Sequence, residues 1–405
     1  MLLKLKNNFF LVVRMIAAIT VTTFAGATWA AEESRNLQVH GFVAQGVAQS
    51  SGSDFVNDDG DISGELTEIG INTSYQFSEN LRFAGQAVYL NGGNRYAEGA
   101  RIDYALIDWA VFQNLDEELH IYLGRYKNYN WLYSSTRDVP MTRPSIVLPQ
   151  SIYFDGFRDI AVGGDGVALT YSFATEQFGE FDFNLSYGTS DISDKQTKII
   201  LGEFATGDMS HDRDIQTSLF WRPNDTQWRF GASLLDSDFS YDQGENDTFF
   251  DNDIVLQRYT FNAIYEGERW EFSTELLQER FLLKGFYFPD FKQDNIGQGF
   301  FLQSRYKWQD NTRLLARFEK FWSNKDDRNG SELEEISGGL LPHYFGYQHD
   351  FVLGAEIDLA SNLRLQIEHH WYEGTARLTP VVVPNVQLND EAHWQLWAAQ
   401  LIYWF

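Results

Sequence analysis

Short turns and long loops alternate along this chain from end to end, and that rhythm limits its fold more than any other feature. The turns fall at 78–80, 114–117, 176–179, 223–225, 266–268, 309–311 and 360–362. The loops span about 49–64, 92–100, 125–162, 190–212, 237–252, 282–297, 323–345 and 374–390. Between them side chains alternate with period two. Ile69, Ile71, Tyr75 and Phe77 are interleaved with Gly70, Asn72, Ser74 and Gln76; Phe181, Phe183, Leu185 and Tyr187 with Asp182, Asn184 and Ser186. Leu363, Leu365, Ile367, His369 and Trp371 are interleaved with Arg364, Gln366, Glu368 and His370. One polar and one apolar face is the pattern of a half-buried strand. Seven turns and eight loops predict sixteen strands with both chain ends on the short-turn side. A soluble sandwich predicts no such asymmetry. An all-β, transmembrane antiparallel barrel does.

Residues 1–30 stand apart. Lys4, Lys6 and Arg14 flank an apolar run, and Thr28 and Ala30 supply small residues for cleavage. That reads as a signal peptide preceding a barrel of residues 31–405. Its removal takes the formal charge from −26 to −29, because the segment carries three cations and no acid. After it there is no run of about 18 apolar residues, so no transmembrane helix is expected. The chain has no cysteine. An exported protein without disulfides rests on its own hydrogen bonds and packing.

Aromatics are 16% of the chain and gather beside the short turns at Phe77, Phe112, Phe173, Trp221, Trp228, Tyr265, Trp270 and Trp308. Such a girdle is expected at a membrane interface. The chain ends Leu-Trp-Ala-Ala-Gln-Leu-Ile-Tyr-Trp-Phe, with Trp397, Ala399, Leu401, Tyr403 and Phe405 on one face. This terminal strand resembles the assembly signal of Gram-negative outer-membrane barrels. With the early LQVHGFVAQG strand and the YLGRYK stretch before the longest loop, the chain resembles the sixteen-stranded Gram-negative porins. In many relatives a Pro and a Gly follow the Gly-Arg-x-Lys stretch; here Asn128, Tyr129 and Asn130 follow. The resemblance implies that Tyr403 and Phe405 are read by the barrel assembly machinery. It also implies a homotrimer, and a third outer loop, here 125–162, folded into the lumen.

That loop holds Pro140, Pro144 and Pro149, three of the eight prolines in the chain. Proline lacks an N–H and fixes φ, so the segment resists becoming a further strand. Ile146, Val147 and Leu148 are suited to pack on a wall. From 125 to 160 the cations Arg125, Lys127, Arg137, Arg143 and Arg158 outnumber Asp138, Asp155 and Asp159. Arg137, Asp138, Arg143, Asp155 and Arg158 are therefore the expected constriction residues. Arg137, Arg143 and Arg158 are expected to face water, with Arg158 open to pairing with its neighbours Asp155 and Asp159. The strand register turns Arg82, Arg229, Arg258, Glu275, Arg305, Arg317, Glu319 and Arg364 inward as pore-wall residues.

Other chemistry has little support. The acidic clusters at 57–61 and 247–253 lack EF-hand spacing. His369 and His370 point to opposite faces, so they do not jointly bind a metal. There is no phosphate-binding glycine loop and no convincing nucleophile–base arrangement. No cofactor, metal or nucleic acid is expected. The expectation is passive diffusion of small hydrophilic solutes through an outer-membrane channel, in contact with lipid and lipopolysaccharide. A substrate-selective channel for anions or sugars is the first alternative. A barrel enzyme or a structural protein is the second.

Overall fold

Period-two side chains pair into sixteen strands in the computed structural model, which describes residues 36–405 apart from Val162 and Asn246. The expected signal peptide lies outside the described residues. The strands are β1 Leu37–Ser51, β2 Thr67–Ser78, β3 Leu81–Asn91, β4 Gly99–Gln113, β5 Glu117–Lys127, β6 Gly163–Thr175, β7 Gly179–Thr189 and β8 Asp208–Arg222. They continue with β9 Trp228–Asp242, β10 Asn252–Glu266, β11 Trp270–Gly285, β12 Lys292–Gln309, β13 Thr312–Trp322, β14 Tyr347–Ala360, β15 Leu363–Gly374 and β16 His393–Trp404. Each strand pairs with the next in sequence, and β1 meets β16 from Phe42↔Trp404 to Ser51↔Gln395, so the sheet closes. Every expected short turn joins two paired strands.

The long-loop ends differ from expectation in extent. The loop expected at 282–297 shrinks to 286–291, because β11 and β12 stay paired out to Lys284↔Lys292. The one at 237–252 shrinks to 243–251. Strands that rise past the apolar belt need only their backbone ladder, so polar side chains there do not signal a loop. The 190–212 stretch contains a helix, Asp194–Leu201, whose first turn is capped by the Ser193 side chain accepting from the Gln196 N–H.

Ile71, Leu185, Leu234, Phe261, Leu276, Leu302 and Ile367 are all exposed, on the outward face. So wide an apolar belt is one that lipid solvates. At its short-turn edge the aromatics form a ladder. Rings step from Phe112 through Tyr171, Phe173, Phe181, Trp221, Phe230, Trp228, Tyr265, Phe272 and Trp270 to Tyr306, with centroids 4.6–6.3 Å apart.

The inner face is polar at many positions but not throughout. Along β10 the buried residues Ile254, Leu256, Arg258, Thr260, Asn262 and Ile264 alternate with exposed Tyr259 and Phe261. Ile254 and Leu256 join Leu235, Phe239, Leu277 and Phe301 in an apolar cluster with Trp131, Leu148, Tyr153, Phe157, Ile200 and Val382. These last six come from segments between strands. Such segments therefore pack against the buried side chains of β9–β12.

Candidate functional site

Residues 128–161 form no strand; the backbone makes short 3-10 turns at Pro140–Thr142 and Asp155–Phe157. Proline explains the irregularity, and inner-face side chains of the wall take up the backbone groups left over. The carboxylate of Glu368 accepts from the N–H groups of Ile146 at 2.9 Å and Val147 at 2.7 Å. Glu319 accepts from the Ser151 N–H at 2.7 Å. Glu275 accepts from the Leu132 N–H at 3.1 Å and the Tyr153 hydroxyl at 2.5 Å. Arg317 donates to Ser145 Oγ at 2.9 Å and the Val147 carbonyl at 3.1 Å, and Arg258 to the Ile152 carbonyl at 3.4 Å. Ile146 and Val147 pack with Phe55, Leu66, Tyr372, Leu378 and Trp394, as their apolar character requires.

The segment's own charges form a buried network. Arg143 Nη2 lies 2.6 Å from Glu68, and Arg158 lies 3.3 Å from Glu68 and 2.7 Å from Asp138. Lys127 bonds Asp103 and, at 3.0 Å, Asp138. Asp155 is held by Arg137 at 2.9 Å and Arg95 at 2.8 Å. Arg137 also donates to the Tyr153 carbonyl at 2.7 Å. Here the sequence expectation is corrected. Arg137, Arg143 and Arg158 do not face water; each is 2% exposed. Glu68 of β2, together with Asp138 and Asp155 of the segment itself, neutralises them, and Arg158 bonds Asp138 and Glu68 rather than Asp155.

Burial raises the cost of ionising Asp138, but Lys127 and Arg158 outweigh it and hold its pKa well below the ordinary value. Asp155 is likewise buried, and Arg95 and Arg137 hold its pKa below normal. Burial pulls the Arg137 pKa down to about 10 against the attraction of Asp155, so it remains charged at neutral pH.

Around the wall the expected residues separate into two groups. Arg258, Glu275, Arg317 and Glu319 are buried beneath the segment. Arg258 bonds Glu279 at 2.7 Å, and Glu279 also holds Arg377 at 2.8 Å. Arg82, Arg229, Arg305 and Arg364 lie nearer the short turns. Arg305 joins Glu271 at 2.8 Å to Glu356 at 3.2 Å, and Arg364 bonds Asp358 at 2.7 Å. Arg229 lies over the Phe220 ring at 5.3 Å. Arg82, whose side chain is 46% exposed, bonds Asp108 at 2.7 Å. The Tyr403 and Phe405 rings lie 6.4 Å apart at a tilt of 33°, and Phe405 exchanges two backbone hydrogen bonds with Gly41.

Sequence reasoning missed Glu68, Arg95, Asp103 and Arg377. Glu68 was recoverable, since exposed Ile71 and half-buried Ile69 fix the outward face of β2 and turn Glu68 inward. Arg95 and Arg377 sit in irregular segments where no periodicity assigns a face. Among the described residues no three His, Cys, Asp or Glu side chains converge as metal ligands.

No known family's sequence pattern matches the chain, and no curated protein matches it. Solved structures do. OmpF of Salmonella typhi, in complex with daunomycin, matches with a TM-score of 0.55 over 91% of this chain and 98% of its own, at 12% identity. The trimer form of OmpT from Vibrio cholerae gives 0.54 over 91% and 99%, at 12%. The anion-selective porin of Comamonas acidovorans gives 0.52 over 91% and 99%, at 14%. The fold is the porin fold. At these identities the likeness is one of architecture alone. In this porin-type barrel the longest irregular segment lies between β5 and β6 and bonds to inner-face carboxylates of β2, β11, β13 and β15.

Proposed function

We propose that this protein is an outer-membrane porin that lets small hydrophilic solutes diffuse passively, with segment 128–161 inside the barrel as its constriction. The observation that carries the reading is a closed sixteen-stranded wall, apolar outside, whose inner-face carboxylates bind that segment's backbone. A barrel of sixteen strands encloses more space than its own wall side chains fill. The apolar belt and aromatic edge suit an outer membrane and contact with its lipid and lipopolysaccharide. The solved trimer form among the structural matches supports a homotrimer. Tyr403 and Phe405 at the end of β16 suit recognition by the assembly machinery, so deleting Phe405 is expected to lower the amount of heat-modifiable barrel in the membrane.

A substrate-selective channel is the second reading. It is favoured by the extent to which interstrand segments cover the inner wall, which leaves little cross-section for indiscriminate flow. Planar-bilayer recording tests both. A steady ohmic current supports diffusion, current that one solute saturates supports selectivity, and no current from folded protein overturns the channel altogether.

A further inference from the structure

The wall is not uniform around the barrel. β4 stays paired with β3 as far as Gly99, and β5 stays paired with β6 as far as Lys127, but β4 and β5 part beyond Ala105↔Arg125. Gly124 marks the parting. Its φ is +117°, and a Cβ there would stand 2.5 Å from the Ala105 carbonyl oxygen, so both conformation and space call for glycine. The crevice between the diverging strands is a cavity of about 410 Å³, walled by 97–103 on one side and by Gly163, Gly164 and 190–196 on the other.

Its floor is charged. Lys127 reaches from β5 to Asp103 of β4 and to Asp138 of the inner segment, and Arg158 lies against the same Asp138. On the short-turn side of that floor the polar surface continues. Asp103 accepts from Gln86 at 2.9 Å, and Gln86 accepts from Asn72 at 3.4 Å. Tyr129 is 47% exposed there, near the exposed Arg82 and its partner Asp108. Across the barrel the situation is opposite. The cavity between Pro144 and Ser145 of the segment and the wall at Arg305, Arg313 and Glu368 measures about 10 Å³, at the threshold for a single water.

We propose that solutes cross on the β3–β6 side, entering through this crevice, and that Lys127, held between Asp103 and Asp138, sets the narrowest point and its ion preference. The proposal rests on the channel reading above. The tip of the inner segment is fastened to the far wall and closes that side; the root of the segment, with Lys127, forms the gate. A small hydrophilic solute passes when the Lys127 ammonium swings from one carboxylate. Without that ammonium two carboxylates line the floor, and cations are favoured.

The chain lacks cysteine, so single thiols report position cleanly. Glu98→Cys places one above the floor, Tyr129→Cys one below it, and Arg313→Cys one on the far side. Each variant is checked for folding by heat-modifiable gel mobility, then treated with a bulky methanethiosulfonate during single-channel recording. Labelling at 98 and 129 is expected to cut conductance at least by half, and labelling at 313 to change it far less. Lys127→Met is expected to move the reversal potential in a salt gradient toward cations. Full conductance after labelling at both 98 and 129, or a stronger block at 313, overturns the proposal while leaving the channel reading intact. Absence of current from the folded parent overturns both.

Discussion

The inner wall bonded to segment 128–161, at β2, β11, β13 and β15, and the wall at Arg82 of β3 and Asp108 of β4 carry the same kinds of residue and use them differently. On the first, Glu275, Glu319 and Glu368 are buried and accept bonds from the segment that lies on them. On the second, Arg82 pairs with Asp108, and the Arg82 side chain stays half in water. Charge type and register are alike, so the covering decides the role. Under a cover a charge is desolvated and must be matched, and losing its partner is costly. In the open, water and salt screen it and its pairing contributes little.

The largest effect is expected from Glu68→Gln, which leaves Arg143 and Arg158 short of a buried carboxylate. A loss of about 3–5 kcal/mol is the scale for stripping one partner from such a network. Folded barrel should fall sharply on semi-native gels, or residues 128–161 should become cleavable by trypsin; a variant as folded and as resistant as the parent would remove the contrast drawn here. Next comes Glu368→Ala, which orphans the N–H groups of Ile146 and Val147. That is worth about 1–3 kcal/mol, read as a lower melting point with noisier open-channel current.

Acid should probe the same network more gently. Asp138 and Asp155 have folded pKa values below 3.8, so their contribution is complete above that value and lost as pH falls beneath it toward the folded values. Melting measured from pH 7 to pH 5 should show no loss from these two groups, and a decline should begin only below about 4. Asp54 has the opposite sign. Burial lifts its pKa to about 6, so its stabilising share is lost as pH rises through 6. Asp54→Asn should raise the melting temperature at pH 8 by roughly 2 °C and leave it unchanged at pH 4. The smallest change is expected from Arg82→Ala on the open wall, within about 1 kcal/mol of the parent. A large destabilisation there would mean that the open wall is covered after all.

The turns were legible because their chemistry is local: two or three polar residues between alternating runs admit one reading. The direction of inner residues was legible from the same alternation, down to His370 facing in and His369 facing out. The partners of the charges were not. Arg143 and Glu68 are 75 residues apart in sequence, and nothing local says that they meet. One signal went unused. Leu234-Leu235, Ile254-Val255-Leu256, Leu282-Leu283 and Phe300-Phe301-Leu302 are apolar on both faces. A strand solvated by lipid outside and water inside has no use for that; it marks where something packs within.

The loop between β15 and β16 brings Arg377 to Glu279, Leu378 to Ile146 and Val147, and the Val381 and Val382 N–H groups to the Ile200 carbonyl. These contacts join a late stretch of the chain with stretches far earlier in sequence. The order of folding follows from that. Segment 128–161 precedes its acceptors Glu275, Glu319 and Glu368 in sequence, the last of them in the tenth strand after it, so it stays unsatisfied until those strands are in place. Contacts of such long sequence separation form late and slowly. The interior contacts of this loop and the seam between β1 and β16 are therefore both expected to form only when the final hairpin is in place.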